Sequence, residues 1–347
     1  EIKRYPELTE KTARFPAKYN EPAHRNGYYT QQQMKDLVKY AADRNIEITP
    51  EIEMPGHSLS VFACYPELSC TGEPVELYPF YQGSNITEDV FCAGNEAVFG
   101  FLKNVLAEVA EIFPSKYIHI GGDEAPTTHW ESCSKCQVRM KQENLSDEHA
   151  LQGYFMNRMA EYVNSIGKQM IGWDEIIEGE LPPNSTLMWW RGRNQAGLTA
   201  AEAGHDVIMS PRSHCYFDYT YQTLSTRTCY SFEPIPKELS AGKEKPVLGL
   251  QANFWSAVDR EPDQVDRQLW PRLLAIAERG WSEKTVRDWE DFSRRVEAAL
   301  PRLAELGVAY HPETKKIQIG KWATGDVTEE YAPLTFDITE NLSGSEP

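Results

Sequence analysis

The chain has 347 residues, 41% hydrophobic and 25% charged, which is ordinary for a globular protein and long enough for one large α/β barrel or two domains; we expect one large domain. Its 35 basic and 52 acidic residues give a formal net charge of -17, which disfavours a phosphate-backbone partner, so we expect no nucleic acid. No run of about 18 apolar residues occurs, and the sequence therefore predicts no membrane span.

Short β-rich segments alternate with helical ones along the chain, the pattern of a parallel sheet with crossover helices. In chain order the six predicted strands are NIEITPEIEM at residues 45–54, KYIHIGG at 116–122, KQMIGW at 168–173, TLMWW at 186–190, DVIMS at 206–210 and VLGLQANFW at 247–255.

Four segments show the i, i+3, i+4 apolar spacing of amphipathic helices. Their apolar residues are Met34, Leu37, Val38 and Ala41; Val98, Phe101, Val105, Val109 and Ile112; Leu151, Phe155, Met159, Tyr162 and Ile166; and Leu269, Leu273 and Ala277. Gly167 is expected to end the third of these helices.

These elements predict an α/β fold, a (β/α)8 TIM barrel. A closed barrel of this kind needs eight parallel strands, so six strands and an abrupt start lead us to expect that the first two βα units lie upstream of Glu1. Residues 1–308 would then carry strands three to eight. Residues 309–347 lack helical spacing and alternate in short stretches, which predicts a C-terminal tail or the start of a β-rich accessory domain.

Seven cysteines include one C-x-x-C pair, Cys133 and Cys136. One pair supplies too few ligands for a zinc ribbon, and no second C-x-x-C pair completes one. The sequence therefore favours a local disulfide or two free thiols at this pair. Cys70 and Cys92 could also close a loop in an oxidising compartment.

In a parallel barrel the loops that follow the strands carry the chemistry. In strand order, these loops and strand ends deliver Glu51, Glu53 and His57; Asp123 and Glu124; Trp173, Asp174 and Glu175; Trp189, Trp190 and Arg191; Tyr216 and Asp218; and Gln251, Asn253 and Trp255. Aromatic faces stack on the C–H surface of a pyranose, while acids bind hydroxyls and transfer protons. The set indicates a carbohydrate site, although a single Trp or His at a strand end also fits core packing.

Asp123 and Glu124 are adjacent, which is unusual for a pair of glycosidase carboxyls. In most glycosidases the two carboxyls face each other across the sugar and come from different strands. Successive side chains at a strand end diverge, so we expect Asp123 and Glu124 to reach different parts of one substrate. This favours substrate assistance, in which a 2-acetamido group of the sugar is the nucleophile. The alternative is that Asp123 caps the following helix and Glu124 is solvated.

Several motifs occur along the chain in a recognisable order: PEIEMPGH ending at His57, HIGGDE at 119–124, GWDE at 172–175, MWW at 188–190, YFD at 216–218 and QANFW at 251–255. In content and order they resemble the β-N-acetylhexosaminidases of glycoside hydrolase family 20, over about residues 1–308. The resemblance implies that Glu124 is the general acid and base. It implies that Asp123 orients the acetamido group and stabilises an oxazolinium intermediate, and that His57 lies behind Glu124 and tunes its proton affinity.

The resemblance also implies a substrate pocket. Trp173, Trp190 and Trp255 would form its walls, Tyr216 would donate a hydrogen bond to the acetamido oxygen, and Asp218 would bind a sugar hydroxyl. The function expected is that of a retaining exo-β-N-acetylhexosaminidase acting on glycans with terminal β-linked GlcNAc or GalNAc. We expect no cofactor and no metal. The glycan substrate class suggests an extracytoplasmic location, periplasmic or secreted.

Two features depart from the family pattern. An arginine from the first barrel strand and an aspartate after the second would both lie before Glu1. The family usually reads Trp-x-Glu where this chain has Trp255, Ser256 and Ala257. Loss of that glutamate suggests a substrate that differs from plain GlcNAc near C4 or C6, such as GalNAc or a 6-sulfated sugar. Alternatively, Asp259 or Asp263 supplies the acceptor.

Two other functions compete with this one. A metal-dependent barrel hydrolase would use His57, His119, Asp123 and His129 as ligands. A non-catalytic sugar-binding protein would lack the upstream arginine and aspartate.

Overall fold

A parallel sheet organises the computed structural model, which describes residues 1–20, 26–79, 87–179, 181–192, 195–255 and 261–312, and two short strands at 317–318 and 335–336. The strands of the sheet are β1 Glu51–Met54, β2 Tyr117–Gly121, β3 Gln169–Trp173, β4 Thr186–Trp189, β5 Asp206–Met209 and β6 Val247–Leu250. Each strand pairs in parallel with the next one along the chain. The six predicted strands are confirmed, and their order is that of consecutive barrel strands.

The first and last strands are shorter than the sequence predicts. β1 begins only after Pro50, which has no N–H to donate to a sheet. At the other end, β6 ends at Leu250, Gln251 N still donates to Met209 O of β5 at 3.0 Å, and the chain then pairs with the loop that follows β5. There Asn253 N donates to Cys215 O at 2.7 Å, and Phe217 N donates to Asn253 O at 2.7 Å. Residues 252–255 therefore form a loop that pairs, through Asn253, with the loop that follows β5.

Helices connect the strands. Within the described residues they are α1 Glu7–Glu10, α2 Gln31–Ala42, α3 Leu59–Phe62, α4 Glu96–Ile112, α5 Thr128–Ser132, α6 Ser134–Glu143, α7 Glu148–Ser165, α8 Ala196–Ala203, α9 Arg212–Cys215, α10 Thr226–Ser231, α11 Pro262–Leu269, α12 Arg272–Trp281 and α13 Trp289–Glu305.

The predicted helical segments fall in α2, α4 and α7, as expected. The fourth segment is wrong as a single helix, because α11 ends at Leu269 and α12 begins at Arg272. Pro271 lies between them, and a proline inside a helix removes a backbone donor and clashes with the preceding turn.

Two of the long helices, α4 and α7, pack against each other, and α7 also packs against β3. Asn95 caps α4 by accepting from Ala97 N, and Asp147 caps α7 by accepting from Ala150 N; each cap contributes about 1 kcal/mol. Phe99 of α4 and Phe155 of α7 are buried, with ring centroids 5.2 Å apart. This packing fixes α7 beneath the loop that follows β2.

β1 and β6 are the edges of the six-stranded sheet. The expectation that two further βα units precede β1 in the chain stays a prediction. In the C-terminal segment, β7 Ile317–Gln318 and β8 Thr335–Phe336 pair antiparallel, in line with the predicted β character of residues 309–347. The boundary near residue 308 stays a prediction. In the part of the chain that is described, no helix has the length and apolar character needed to cross a bilayer.

Candidate active site

Two neighbouring loops bring together the three residues expected to be catalytic. His57 follows β1, and Asp123 and Glu124 follow β2. The two strands are paired, with Met54 opposite Gly121, so both loops leave the sheet at the same edge. The loops also touch, since a Cβ atom on Gly56 would lie 3.4 Å from the backbone oxygen of Asp123.

The turn after β2 can be built only with glycine. Gly121 and Gly122 have φ angles of +72° and +101°. A Cβ atom on Gly121 would lie 1.9 Å from Oε2 of Glu53, and one on Gly122 would lie 2.5 Å from Cγ2 of Ile176. The buried Gln152 of α7 donates to the backbone oxygen of Gly122 at 2.7 Å. This packing holds the following Asp-Glu pair in place.

The carboxyl groups of Asp123 and Glu124 converge on one imidazole nitrogen. His57 Nε2 lies 3.5 Å from Asp123 Oδ2 and 3.4 Å from Glu124 Oε2. The expectation that these neighbouring side chains diverge is wrong for their carboxyl groups, because Glu124 takes a left-handed conformation with φ +46° instead of continuing the strand. His57 is also left-handed, with φ +50°. Such conformations cost about 1–3 kcal/mol each in non-glycine residues and cluster at functional sites.

The two carboxylates control the protonation of His57. Hydrogen bonding to Asp123 and then to Glu124 raises the pKa of His57 to about 10, against the opposing effect of burial. The His57 side chain is only 23% exposed. The imidazole is therefore a cation at neutral pH and partly neutralises the two acids beside it.

A further carboxyl group, that of Glu53, adjoins Asp123. Burial, followed by the charge of Asp123 and contacts with Glu51, raises the pKa of Glu53 to about 11, so Glu53 is neutral at pH 7. Glu53 Oε2 and Asp123 Oδ1 are both buried and receive no hydrogen bond from another donor in the described part of the chain. A protonated Glu53 has one O–H and can donate one hydrogen bond to a neighbouring carboxyl group, that of Asp123 or Glu51.

His119 and Glu51 anchor Trp173 at the base of the site. The buried His119 accepts a hydrogen bond at Nδ1 from Gly121 N at 3.1 Å, and burial lowers its pKa. It is therefore a neutral imidazole with its proton on Nε2. Its ring centroid lies 4.8 Å from that of Trp173, whose Nε1 donates to Glu51 Oε1 at 2.9 Å. Trp173 is 2% exposed, so it serves as a fixed surface.

The aromatic residues expected to form the pocket stand in one continuous series. Ring centroids lie 5.9 Å apart for Trp173 and Trp255, 6.5 Å for Trp255 and Tyr216, and 6.1 Å for Tyr216 and Trp190. Trp255 is 41% exposed, whereas Tyr216 is buried. Aromatic faces in such a series can cover the C–H faces of a sugar ring and a methyl group.

Trp190 is fixed by acidic residues that the sequence analysis recorded without a role. Trp190 Nε1 donates to Glu175 Oε2 at 2.9 Å. Burial raises the pKa of Glu175 to about 7. Beside it, Asp174 is fully buried and accepts from Arg191 Nε at 3.1 Å. These contacts orient the Trp190 indole.

Glu51, Glu53 and Glu175 are the residues whose contribution the sequence analysis missed. A signal for the first two exists in the sequence: residues at i and i+2 of a strand point to the same face, so EIE in β1 places both glutamates together.

Tyr216 and Asp218 follow β5 and lie near the acids. Burial raises the pKa of Tyr216, and both Asp123 and Asp218 act on it in the same direction through their charges. Tyr216 is therefore a neutral phenol at physiological pH and keeps its O–H. Asp218 is held in place through its backbone oxygen, which accepts from Gln268 Nε2 at 3.3 Å. Ala257 lies outside the described residues.

The ligand set of the competing metal-dependent hydrolase does not assemble. His57, Asp123 and Glu124 lie within 4.8 Å of one another, but His119 groups with Glu51 and Glu53 instead. His129 lies 3.6 Å from Asp89 and belongs to neither group in the described part of the chain.

Comparison with known proteins gives one consistent result. Residues 1–284 match the family model described as glycosyl hydrolase family 20, catalytic domain. The chain is 43% identical over 323 residues to a beta-hexosaminidase of Porphyromonas gingivalis and 32% identical over 308 residues to one of Akkermansia muciniphila. The first match covers 90% of this chain and 41% of the Porphyromonas gingivalis protein. The second covers 84% of this chain and 61% of the Akkermansia muciniphila protein. The chain thus spans about half the length of these relatives.

Solved structures agree in fold. An exo beta-N-acetylglucosaminidase of Vibrio harveyi in complex with N-acetylglucosamine has a TM-score of 0.80 at 31% identity, over 90% of this chain and 52% of that one. A beta-N-acetylhexosaminidase of Bacteroides fragilis has a TM-score of 0.75 at 32% identity, over 90% of this chain and 63% of that one.

Proposed function

This chain belongs to glycosyl hydrolase family 20, and on that premise we propose that it acts as a retaining exo-β-N-acetylhexosaminidase that uses the acetamido group of its substrate as the nucleophile. One observation carries the proposal. The carboxyls of Asp123 and Glu124 meet at His57, next to a series of aromatic rings that runs from Trp173 to Trp190.

In the first step, Glu124 donates its proton to the glycosidic oxygen. The acetamido carbonyl oxygen attacks C1, the bond from C1 to the leaving oxygen breaks, and the ring closes to an oxazolinium ion. Asp123 accepts a hydrogen bond from the acetamido N–H and offsets the positive charge as it develops. Tyr216 donates its O–H to the acetamido oxygen.

In the second step, the deprotonated Glu124 takes a proton from water, and the water oxygen attacks C1. The oxazolinium opens, which restores the acetamido group and the original configuration at C1. His57 is a positioning residue, since its cation holds the Glu124 carboxyl and offsets its charge when Glu124 is ionised.

The substrates proposed are glycans that end in β-linked GlcNAc or GalNAc. Relatives of this family usually carry glutamate at the position of Ala257. A glutamate there would repel an anionic substituent, whereas alanine does not, and this supports a substrate altered near C4 or C6, including a 6-sulfated sugar. A glycan substrate also supports an extracytoplasmic location.

Hydrolysis of 4-nitrophenyl N-acetyl-β-glucosaminide and galactosaminide by the purified protein tests the activity. We expect phenolate release and, by NMR, a β-configured sugar as the first product. An α-configured first product would exclude a retaining mechanism. Binding of GlcNAc without turnover would favour the non-catalytic sugar-binding protein.

Fluorination of the acetamido methyl group separates the two kinds of retaining mechanism. Successive fluorines withdraw electrons from the carbonyl oxygen, so the rate should fall with each one if that oxygen attacks C1. A rate independent of fluorination would mean that a protein carboxylate attacks instead.

A further inference from the structure

Four cysteines from two separate loops place their sulfur atoms in one cluster. Cys70 and Cys92 lie between β1 and α4, and Cys133 and Cys136 lie at the start of α6. The four Sγ atoms all lie within 4.8 Å of one another. We propose that Cys70, Cys92, Cys133 and Cys136 bind one structural Zn²⁺ ion as a tetrahedral four-thiolate site. This proposal is independent of the proposed enzymatic activity.

The sulfur separations fit tetrahedral zinc. The Sγ atoms of Cys70 and Cys136, of Cys92 and Cys133, and of Cys92 and Cys136 are each 3.7 Å apart. A tetrahedron with Zn–S bonds of about 2.3 Å has sulfur atoms separated by about 3.8 Å. A disulfide instead requires about 2.05 Å. Three separations therefore agree with a shared central ion.

The backbone around the cluster has the shape that metal-binding cysteine turns need. Cys133 precedes the first residue of α6, and Cys136 lies in its first turn, so the C-x-x-C pair presents both sulfurs on one side.

Gly94 fixes the distance between the two loops. A Cβ atom at this position would lie 2.2 Å from the carbonyl carbon of Lys135 and 2.5 Å from Cys136 N. Only glycine permits this approach of the segment after Cys92 to the C-x-x-C turn.

Burial makes the cluster suitable for a structural ion. Cys92 and Cys136 are fully buried, and Cys70 and Cys133 are half-buried. A structural zinc site is closed, with four protein ligands and no open position for substrate. Four soft sulfur ligands select zinc or iron–sulfur centres over Mg²⁺ and Ca²⁺.

The ion would join two segments of the chain that come after the loops of the catalytic residues. The segment of Cys70 and Cys92 follows the His57 loop, and the segment of Cys133 and Cys136 follows the loop of Asp123 and Glu124. Trp130 Nε1 already donates to the Phe91 backbone oxygen at 2.9 Å across this junction. Zinc binding releases the thiol protons to solvent and needs no oxidant.

The sequence predicts no zinc site, because it contains only one C-x-x-C pair. Cys70 and Cys92 are separated by 21 residues and resemble no ligand pair in the sequence. Only the packing of their segment against α6 brings them to the C-x-x-C turn.

Metal analysis of the protein, expressed and purified without chelators, tests the proposal. We expect about one zinc ion per chain by mass spectrometry of the elements. Cys133→Ser and Cys92→Ser should each lose most of it, whereas the control Cys64→Ser should retain it, because the Cys64 sulfur contacts the Glu7 backbone and lies outside the cluster.

A second measurement avoids dependence on variants that fail to fold. Replacement of bound metal by Co²⁺ in the unaltered protein should give the sulfur-to-cobalt charge-transfer and intense d–d absorption of a tetrahedral thiolate site. Zinc-free protein with three reactive thiols after unfolding would overturn the proposal, since two disulfides consume four of the seven cysteines. Iron in place of zinc would overturn the choice of metal.

Discussion

His57 Nε2 lies 3.4 Å from Glu124 Oε2, although the two residues belong to loops that follow different strands. The contact joins a cation to the carboxyl proposed as general acid and base. A proton donor held in this way keeps its position while it loses and regains its proton, which both steps of the proposed mechanism require.

Glu124→Gln should lower turnover of N-acetylhexosaminides with poor leaving groups by about 10²–10⁴-fold, because acid assistance of this kind is lost. Cleavage of the bond to a leaving group such as 2,4-dinitrophenolate needs no proton and should be spared. The measurement is kcat/KM across aryl glycosides of graded leaving-group pKa. A uniform loss across the series would contradict the role of Glu124 as acid.

Asp123→Asn should lower kcat by about 10²–10³-fold with little change in substrate affinity, since the aspartate charge acts mainly when the oxazolinium forms. The same variant removes the larger of the two contacts that raise the pKa of His57. NMR titration of the His57 ring should therefore show a lower pKa in the variant. An unchanged His57 titration would contradict the geometry, whatever the kinetics show.

The raised pKa of His57 predicts a dependence of stability on pH. The folded-state pKa of about 10 lies above the ordinary value of 6.5. The contribution of protonated His57 to the stability of the folded protein is therefore fully present below about pH 6.5 and is lost as the pH rises through about 10. Urea unfolding of wild type and His57→Gln at pH 6.5 and 10.5 measures this contribution as a difference in unfolding free energy. The difference in unfolding free energy should shrink at the higher pH; a constant difference would contradict the ion-pair geometry.

Glu53→Gln tests whether Glu53 is neutral in the folded protein. Its folded pKa of about 11 exceeds the ordinary 4.5, so ionisation in the unfolded chain increasingly destabilises wild type as the pH rises above about 4.5. Glutamine is neutral at every pH and escapes this effect. The variant should gain stability relative to wild type between pH 5 and pH 8, whereas the exposed control Glu111→Gln should not. An equal change in both variants would contradict a buried, protonated Glu53.

Ala257→Glu tests the origin of substrate choice. A charged hydrogen bond to a sugar hydroxyl contributes roughly 1.5 to 3 kcal/mol, so the variant should gain about tenfold or more in kcat/KM on the plain GlcNAc aryl glycoside and lose activity on the 6-sulfated one. Two results together would show that Ala257 does not set specificity: a wild type that prefers plain GlcNAc by more than about tenfold, and a variant with no gain in kcat/KM on that sugar. Asp259 or Asp263 would then be the residues to substitute next.

The sequence by itself determined the six strands, the helices α2, α4 and α7, and the identity of the chemical groups. Period-2 and period-3.6 spacing are local properties, so segments such as YIHIG in β2 and the α7 helix follow from residues close in the chain. The HIGGDE and QANFW motifs identified the acids and one aromatic wall for a related reason, since each motif is a short contiguous stretch.

Only the tertiary structure decided how those groups meet. Asp123 and Glu124 converge on His57 because Glu124 turns into a left-handed conformation, and the packing of Gly122 against Ile176 and Gln152 holds that turn. Glu53 is neutral because burial and the neighbouring carboxyl groups raise its pKa. The four sulfurs of Cys70, Cys92, Cys133 and Cys136 meet across up to 66 residues of chain. Burial, charge and metal geometry depend on distance through space, and sheet register and helix packing set that distance.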